Sequence, residues 1–231
     1  MRLAGWIVRN MVALGVGLVI LLTWFEGVSA FLDGNRTALD YLARWFVLSL
    51  GFIPAGLASG TIQVGGVLRF LPSIDPGRWV KATVTAGFAG WLLVTIFLVV
   101  VESVRGLLEL PGAAGIVMGC AMAAVFGGLL GCIVGIMQAR AMPFRLAIRF
   151  WWPVANAVGW GTAMPILYLG AHLSGMQDDI VVRIGYWLAA TGIGCGMIGA
   201  VIGTALMLMQ VERDLDAEDL RATDSHSRTG V

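Results

Sequence analysis

Two short segments of this chain hold side chains that could do nucleophilic chemistry: Ser59 in "GLASG" (Gly56 to Gly60) and His172 in "AHLSG" (Ala171 to Gly175). A serine hydroxyl attacks a carbonyl only when a base stands within hydrogen-bond reach, and histidine commonly serves. Metal and haem chemistry have less to draw on. The chain has 2 histidines, and His226 lies in the polar tail, so no membrane-embedded pair of histidines can form. Cys120, Cys132 and Cys195 make no CxxC pair and lie within apolar runs, where they read as small, polarizable packing residues. The remaining candidates are amides. Gln63, Gln138 and Asn156 interrupt apolar segments, and an unpaired amide there is costly enough that each must face protein, water or a polar ligand.

The elements that must position these groups follow from composition. A chain of 231 residues that is 58% hydrophobic and 13% charged cannot hide its apolar side chains inside a water-soluble globule, so lipid is the expected solvent. Charge-free runs at Trp45 to Leu68, Ala82 to Val101, Ala113 to Ala139, Phe150 to Leu173 and Ile184 to Gln210, with a further one at Asn10 to Phe25, match the roughly 20 residues of helix that a hydrocarbon core of about 30 Å requires. They lack the alternation of a membrane barrel, so backbone satisfaction in lipid demands helices. The expectation is an all-α polytopic membrane protein with six spans in a domain of residues 1–210. The charged tail at 211–231 lacks apolar periodicity and is expected to be solvated and partly disordered. Arg2 and Arg9 ahead of an apolar stretch ending in "EGVSA" also imitate a signal peptide. The apolar width continuing to Phe31 favours a retained first span.

Orientation follows from basic residues in short loops. Arg2 and Arg9, then Arg69, Arg78 and Lys81, then Arg140, Arg145 and Arg149, then the tail's Arg213, Arg221 and Arg228 all fall on one side. Only Arg36, Arg44, Arg105 and Arg183 fall on the other. The expectation is a cytoplasmic membrane protein with both termini in the cytoplasm, and with Glu26, Glu102 and Glu109 outside, where they could pair with Arg105 or Arg183. The tail's charges nearly cancel, which argues against a nucleic-acid arm.

The strongest pattern is internal. Gly128, Gly131 and Gly135 have the spacing of Gly196, Gly199 and Gly203, and Gly56, Gly60 and Gln63 repeat the GxxxGxxQ of Gly131, Gly135 and Gln138. On a helix each such set, with Gln63, Gln138 or Gln210 following, lies within an arc of roughly 80°. Odd-numbered runs answer with tryptophan: Trp79 and Trp151 precede Gly87 and Gly159 at one common spacing, and Trp6 precedes Gly15 one residue off it. Two helical hairpins are expected, spans two with three and four with five, with span six pairing with span one as a permuted third. In lipid, close association comes from small residues and interhelical hydrogen bonds. The glycines are therefore expected to pack helices, and Gln63, Gln138 and Asn156 to bond across them or line a polar route. Trp6, Trp79, Trp151 and Trp152, each near an arginine, read as an interfacial anchoring belt. A quinone or pigment stacked on such rings is the alternative.

The GxxxGxxQ and Trp-Gly segments resemble those of a loosely defined set of small bacterial multi-spanning proteins. The resemblance covers about residues 51–91 and 124–163, and the chain departs from it by lacking a Trp after Gln63 or Gln138. It implies an architecture and no catalytic residue. The Ser59 and His172 segments resemble the serine and histidine motifs of rhomboid intramembrane proteases, which implies Ser59 as nucleophile and His172 as base. This chain departs there too: Ser59 falls in the second span rather than the fourth, and no HxxxN segment is present.

The long runs hold no Asp, Glu, Lys or Arg, which disfavours carboxylate-lined and carboxylate-relayed proton-coupled transport. The expected role is an accessory or scaffold subunit without intrinsic catalysis or cofactor. It would contact lipid and a membrane partner, or a second copy, through small-residue grooves. The alternatives are a small permease for a neutral or amphiphilic solute, with Gln63, Gln138 and Asn156 along the route, and the rhomboid-like protease.

Overall fold

The computed structural model describes the backbone at residues 2–31, 38–108, 112–142 and 146–228. Every regular element there is helical: α1 (Arg2–Phe31), α2 (Ala38–Leu50), α3 (Phe52–Phe70), α4 (Pro76–Leu108), α5 (Gly112–Ala139), α6 (Leu146–Gly175) and α7 (Ile180–Arg228). Among the described residues, four segments are long and apolar enough to cross a membrane: Leu3–Phe25, Ala43–Phe70, Gly112–Ala139 and Ile180–Gln210. That is consistent with a membrane location. α4 and α6, of 33 and 30 residues, fall outside this set. α6 carries two internal prolines, Asn156 and three tryptophans, which dilute its hydropathy. The expected ion pairing of Glu26, Glu102 and Glu109 and the side chains of the tail lie outside the described residues. The backbone of α7 continues as helix to Arg228.

Local chemistry sets several helix ends. Asp75 Oδ1 accepts from the backbone N–H of Gly77 at 2.8 Å and of Arg78 at 3.1 Å, with Pro76 at the first helical position where its missing N–H costs nothing. Asp179 caps α7 in the same way, its Oδ1 accepting from the Val181 N–H at 2.7 Å. The run expected as a single second span is divided at Gly51. Pro54 has no N–H to donate to the Leu50 carbonyl, and the chain turns there, with Gly51 N–H bonding the Leu48 carbonyl at 3.1 Å. Trp24 of α1 fills the notch, its ring against the bare face of Gly51 and its Nε1–H donating to the Val47 carbonyl at 2.9 Å.

α1, α3, α4, α5, α6 and α7 form a closed ring in that order, each packed on the next, with α7 returning to α1; α2 rests on α1 and α3. Glycine sets the spacing. A side chain at Gly56 would run into the Val84 backbone, and one at Gly60 into that of Val80. Gly131 and Gly135 lie against the backbone of Asn156 and Pro153, and Gly199 and Gly203 against Ile7 and the Trp6 ring. Gly128 and Gly196 sit more loosely: a methyl added there would stand 3.8 Å from the Ala157 carbonyl oxygen and 3.6 Å from the Met11 sulfur. Between apolar helix surfaces, for which a lipid setting supplies little hydrophobic drive, such backbone approach is a main source of attraction.

The distribution of polarity runs opposite to that of a soluble bundle. Leu188 is 69% exposed and Val117 68%, while Asn10 is fully buried and Asn156 1% exposed. Threonines on the outer faces satisfy their own hydroxyls on the carbonyl one turn back, as Thr85 does on Lys81 at 2.8 Å and Thr204 on Ala200 at 2.9 Å.

Candidate functional site

The ring encloses a cavity of about 410 Å³ to which all six of its helices contribute. On α1 its wall runs from Trp6 through Asn10, Leu14 and Leu18 to Leu21, a rise of roughly 22 Å at 1.5 Å per residue. At one end, where α3 turns into α4 and α5 toward α6, it is floored by Trp6, Trp79 and Trp152, each no more than 2% exposed. Phe70, Leu71, Met142, Leu206 and Met209 pack the floor. Trp79 and Trp152 meet edge to face, centroids 5.7 Å apart, and Trp6 meets Phe70 at 6.3 Å. Toward the other end the wall is apolar, with Phe52, Phe126, Leu130, Met164, Leu167 and Cys195.

These indoles correct the expectation of an anchoring belt. Trp6, Trp79 and Trp152 are interior residues; Trp151, at 61% exposure, alone keeps the outward position. They also correct the spacing argument, which paired Trp79 with Trp151. Trp6, Trp79 and Trp152 are equally spaced along the chain, and Asn10, Thr83 and Asn156 follow them one helical turn later at the same interval. W-x-x-x-[N/T] was therefore the legible signal, and Asn10 and Thr83 are site residues that the sequence reading left unused.

One turn above the floor runs a collar of polar groups. Gln138 Nε2 donates to Thr83 Oγ1 at 3.2 Å, and Gln138 Oε1 accepts from Trp152 Nε1 at 3.2 Å. Gln63 Nε2 donates to Asn10 Oδ1 at 2.9 Å. Asn156 lines the cavity but spends its amide donor on its own helix, at the Trp152 carbonyl, 3.0 Å away. Gln210 does not join the collar. In the register Gly199-x-x-x-Gly203-x-x the position equivalent to Gln63 and Gln138 is Leu206, which is fully buried. Among the described residues, four buried side-chain polar atoms have no partner: Trp6 Nε1, Asn10 Nδ2, Gln63 Oε1 and Trp79 Nε1. All belong to residues lining the cavity.

Ser59 and His172 have separate partners. The Ser59 hydroxyl donates to the Ala13 carbonyl at 2.8 Å in the α1–α3 contact, and His172 stacks on Tyr168 of its own helix with centroids 6.4 Å apart. Among the described residues, no three His, Cys, Asp or Glu side chains gather as a metal-ligand set. No protein-family model, curated protein or solved structure matches this chain.

Proposed function

We propose that the chain is a six-span protein of the cytoplasmic membrane, both termini inside, whose helices surround a binding or transit site for an amphiphilic small molecule. The observation that carries this reading is the part-open cavity within the ring, polar at its floor and apolar along its shaft, in a bundle whose outer surface suits lipid. We read the ring as three related hairpins, α3 with α4, α5 with α6 and α7 with α1, on the equal spacing of the floor tryptophans and the collar residues. The accessory-subunit expectation rested on small-residue grooves available to a partner. Gly56, Gly60, Gly131, Gly135, Gly199 and Gly203 are instead covered by the chain's own helices, which moves the support to the interior.

The test is extraction of the full-length protein into mild detergent, followed by mass spectrometry of what it retains and thermal unfolding against a panel of amphiphiles. A retained small molecule, or stabilisation that a cavity-filling Val134→Trp variant abolishes, is the expected result. A protein that retains nothing, responds to no amphiphile and comes with a stoichiometric polypeptide would return the reading to an accessory subunit. Reagent access to cysteines introduced in the tail, in closed and opened cells, checks the orientation.

A further inference from the structure

Comparing the three hairpins at the level of the collar exposes a vacancy in the hydrogen-bond pattern. At the α5–α6 hairpin a glutamine accepts from the floor indole of α6, as Gln138 does from Trp152. At α3–α4 the same pair of groups is present, Gln63 Oε1 and Trp79 Nε1, and both are unpartnered. At α7–α1 the glutamine is replaced by Leu206, so Trp6 Nε1 has no side-chain acceptor in its own hairpin, and the neighbouring Asn10 Nδ2 is also unpartnered. Buried N–H groups without partners are rare in folded proteins, because each forfeits its hydrogen bond to water without replacement. Here three donors and one acceptor are left over around one cavity end. That excess of donors fits a ligand that brings acceptor oxygens.

Two further observations narrow the ligand. Among the described residues lining the cavity there is no Asp, Glu, Lys, Arg or His, so a charged head group would be buried with no counter-charge from them. The cavity runs roughly 22 Å along α1, a length that suits an extended hydrocarbon chain. We propose that the cavity end walled by Trp6, Asn10, Gln63 and Trp79 binds the carbonyl-bearing head of a neutral, single-chain amphiphile, whose oxygen accepts from the donors left unpartnered there. A prenylated quinone and an acyl ester share this chemistry. The inference rests on the reading of the cavity as an amphiphile site.

The experiment uses the full-length protein in detergent and four probes: a decyl-substituted benzoquinone, monododecanoyl glycerol, dodecyl phosphate and dodecylammonium. Binding is read by tryptophan fluorescence and thermal shift. The neutral probes are expected to bind and the charged ones not. Trp6→Phe keeps the ring and removes the donor, and should weaken the neutral probe about fivefold to tenfold. Leu206→Gln supplies the missing acceptor from the protein, and should weaken the probe at least as much while leaving the thermal stability of the empty protein equal or higher. Val134→Trp serves as the shaft control. Binding lost in Val134→Trp but unchanged in Trp6→Phe and Leu206→Gln would overturn the head-group assignment and leave the amphiphile reading standing. Preference for a charged probe would do the same. Failure of all four probes to bind would overturn both. Preference between the two neutral probes identifies the source.

Discussion

The indole N–H of Trp152 on α6 donates to Gln138 Oε1 on α5 at 3.2 Å, with Trp152 1% and Gln138 3% exposed. Because Gln138 Nε2 also reaches Thr83 on α4, this one amide ties three consecutive helices of the ring. Gln138→Leu preserves approximate size but strands the Trp152 donor, and should lower stability by about 1–2 kcal/mol. Trp152→Phe removes the stranded donor. In a double-mutant cycle of reversible unfolding, the two changes should couple by about 0.5–1.5 kcal/mol; strict additivity would mean the bond contributes nothing.

Glycine substitutions should sort by what faces them. Gly135→Ala drives a methyl into the Pro153 backbone, and Gly131→Ala into the Asn156 carbonyl, so both should lower stability by about 1–3 kcal/mol or open the α5–α6 contact. Gly15 and Gly192 face no atom within 4 Å. Alanine at either should be neutral or stabilising by up to about 1 kcal/mol, through helix propensity alone. Thermal unfolding of the four variants in one detergent checks the ordering, and equal losses throughout would contradict the packing role.

The helical class, the glycine faces and the polar residues within apolar runs were legible because each follows from a local rule: hydropathy for the runs, period for the glycines, the cost of an unpaired amide for Gln63, Gln138 and Asn156. What the sequence did not yield was direction. Trp79 and Trp152 each follow an arginine, which made a headgroup position the simpler reading. Only the ring closure, which brings helices far apart in sequence around one axis, turns both indoles inward. The break at Gly51 had its cause on view in Pro54, but prolines near the start of a helical run are tolerated often enough that the sequence alone did not place the turn. Leu206 was not legible as the counterpart of Gln63 and Gln138 because Gln210, one turn farther along the same face, offers the amide that the pattern leads one to expect.

Ser59 should be inert toward a fluorophosphonate probe in the native protein, since its hydroxyl is spent on the Ala13 carbonyl at 2.8 Å and its side chain is buried. Ser59→Ala should then cost about 0.5–1.5 kcal/mol of stability with no other effect. Covalent labelling at Ser59 would revive hydrolytic chemistry.

Amphiphile binding should be flat from about pH 5 to 8, because no side chain lining the cavity changes charge in that range. Thermal-shift titrations at several pH values check this. A clear midpoint near the histidine range would point to a titrating group outside the cavity that controls access.

The ring closes where Gly199 and Gly203 of α7 meet Ile7 and Trp6 of α1. α1 thus gains one of its two flanking neighbours in the ring only from α7, the ring helix farthest from it in sequence. Without α7, the side of α1 that carries Asn10 and the Trp6 indole would lack half of its enclosure. A chain truncated before α7 would therefore leave uncovered a polar stripe that the complete ring buries.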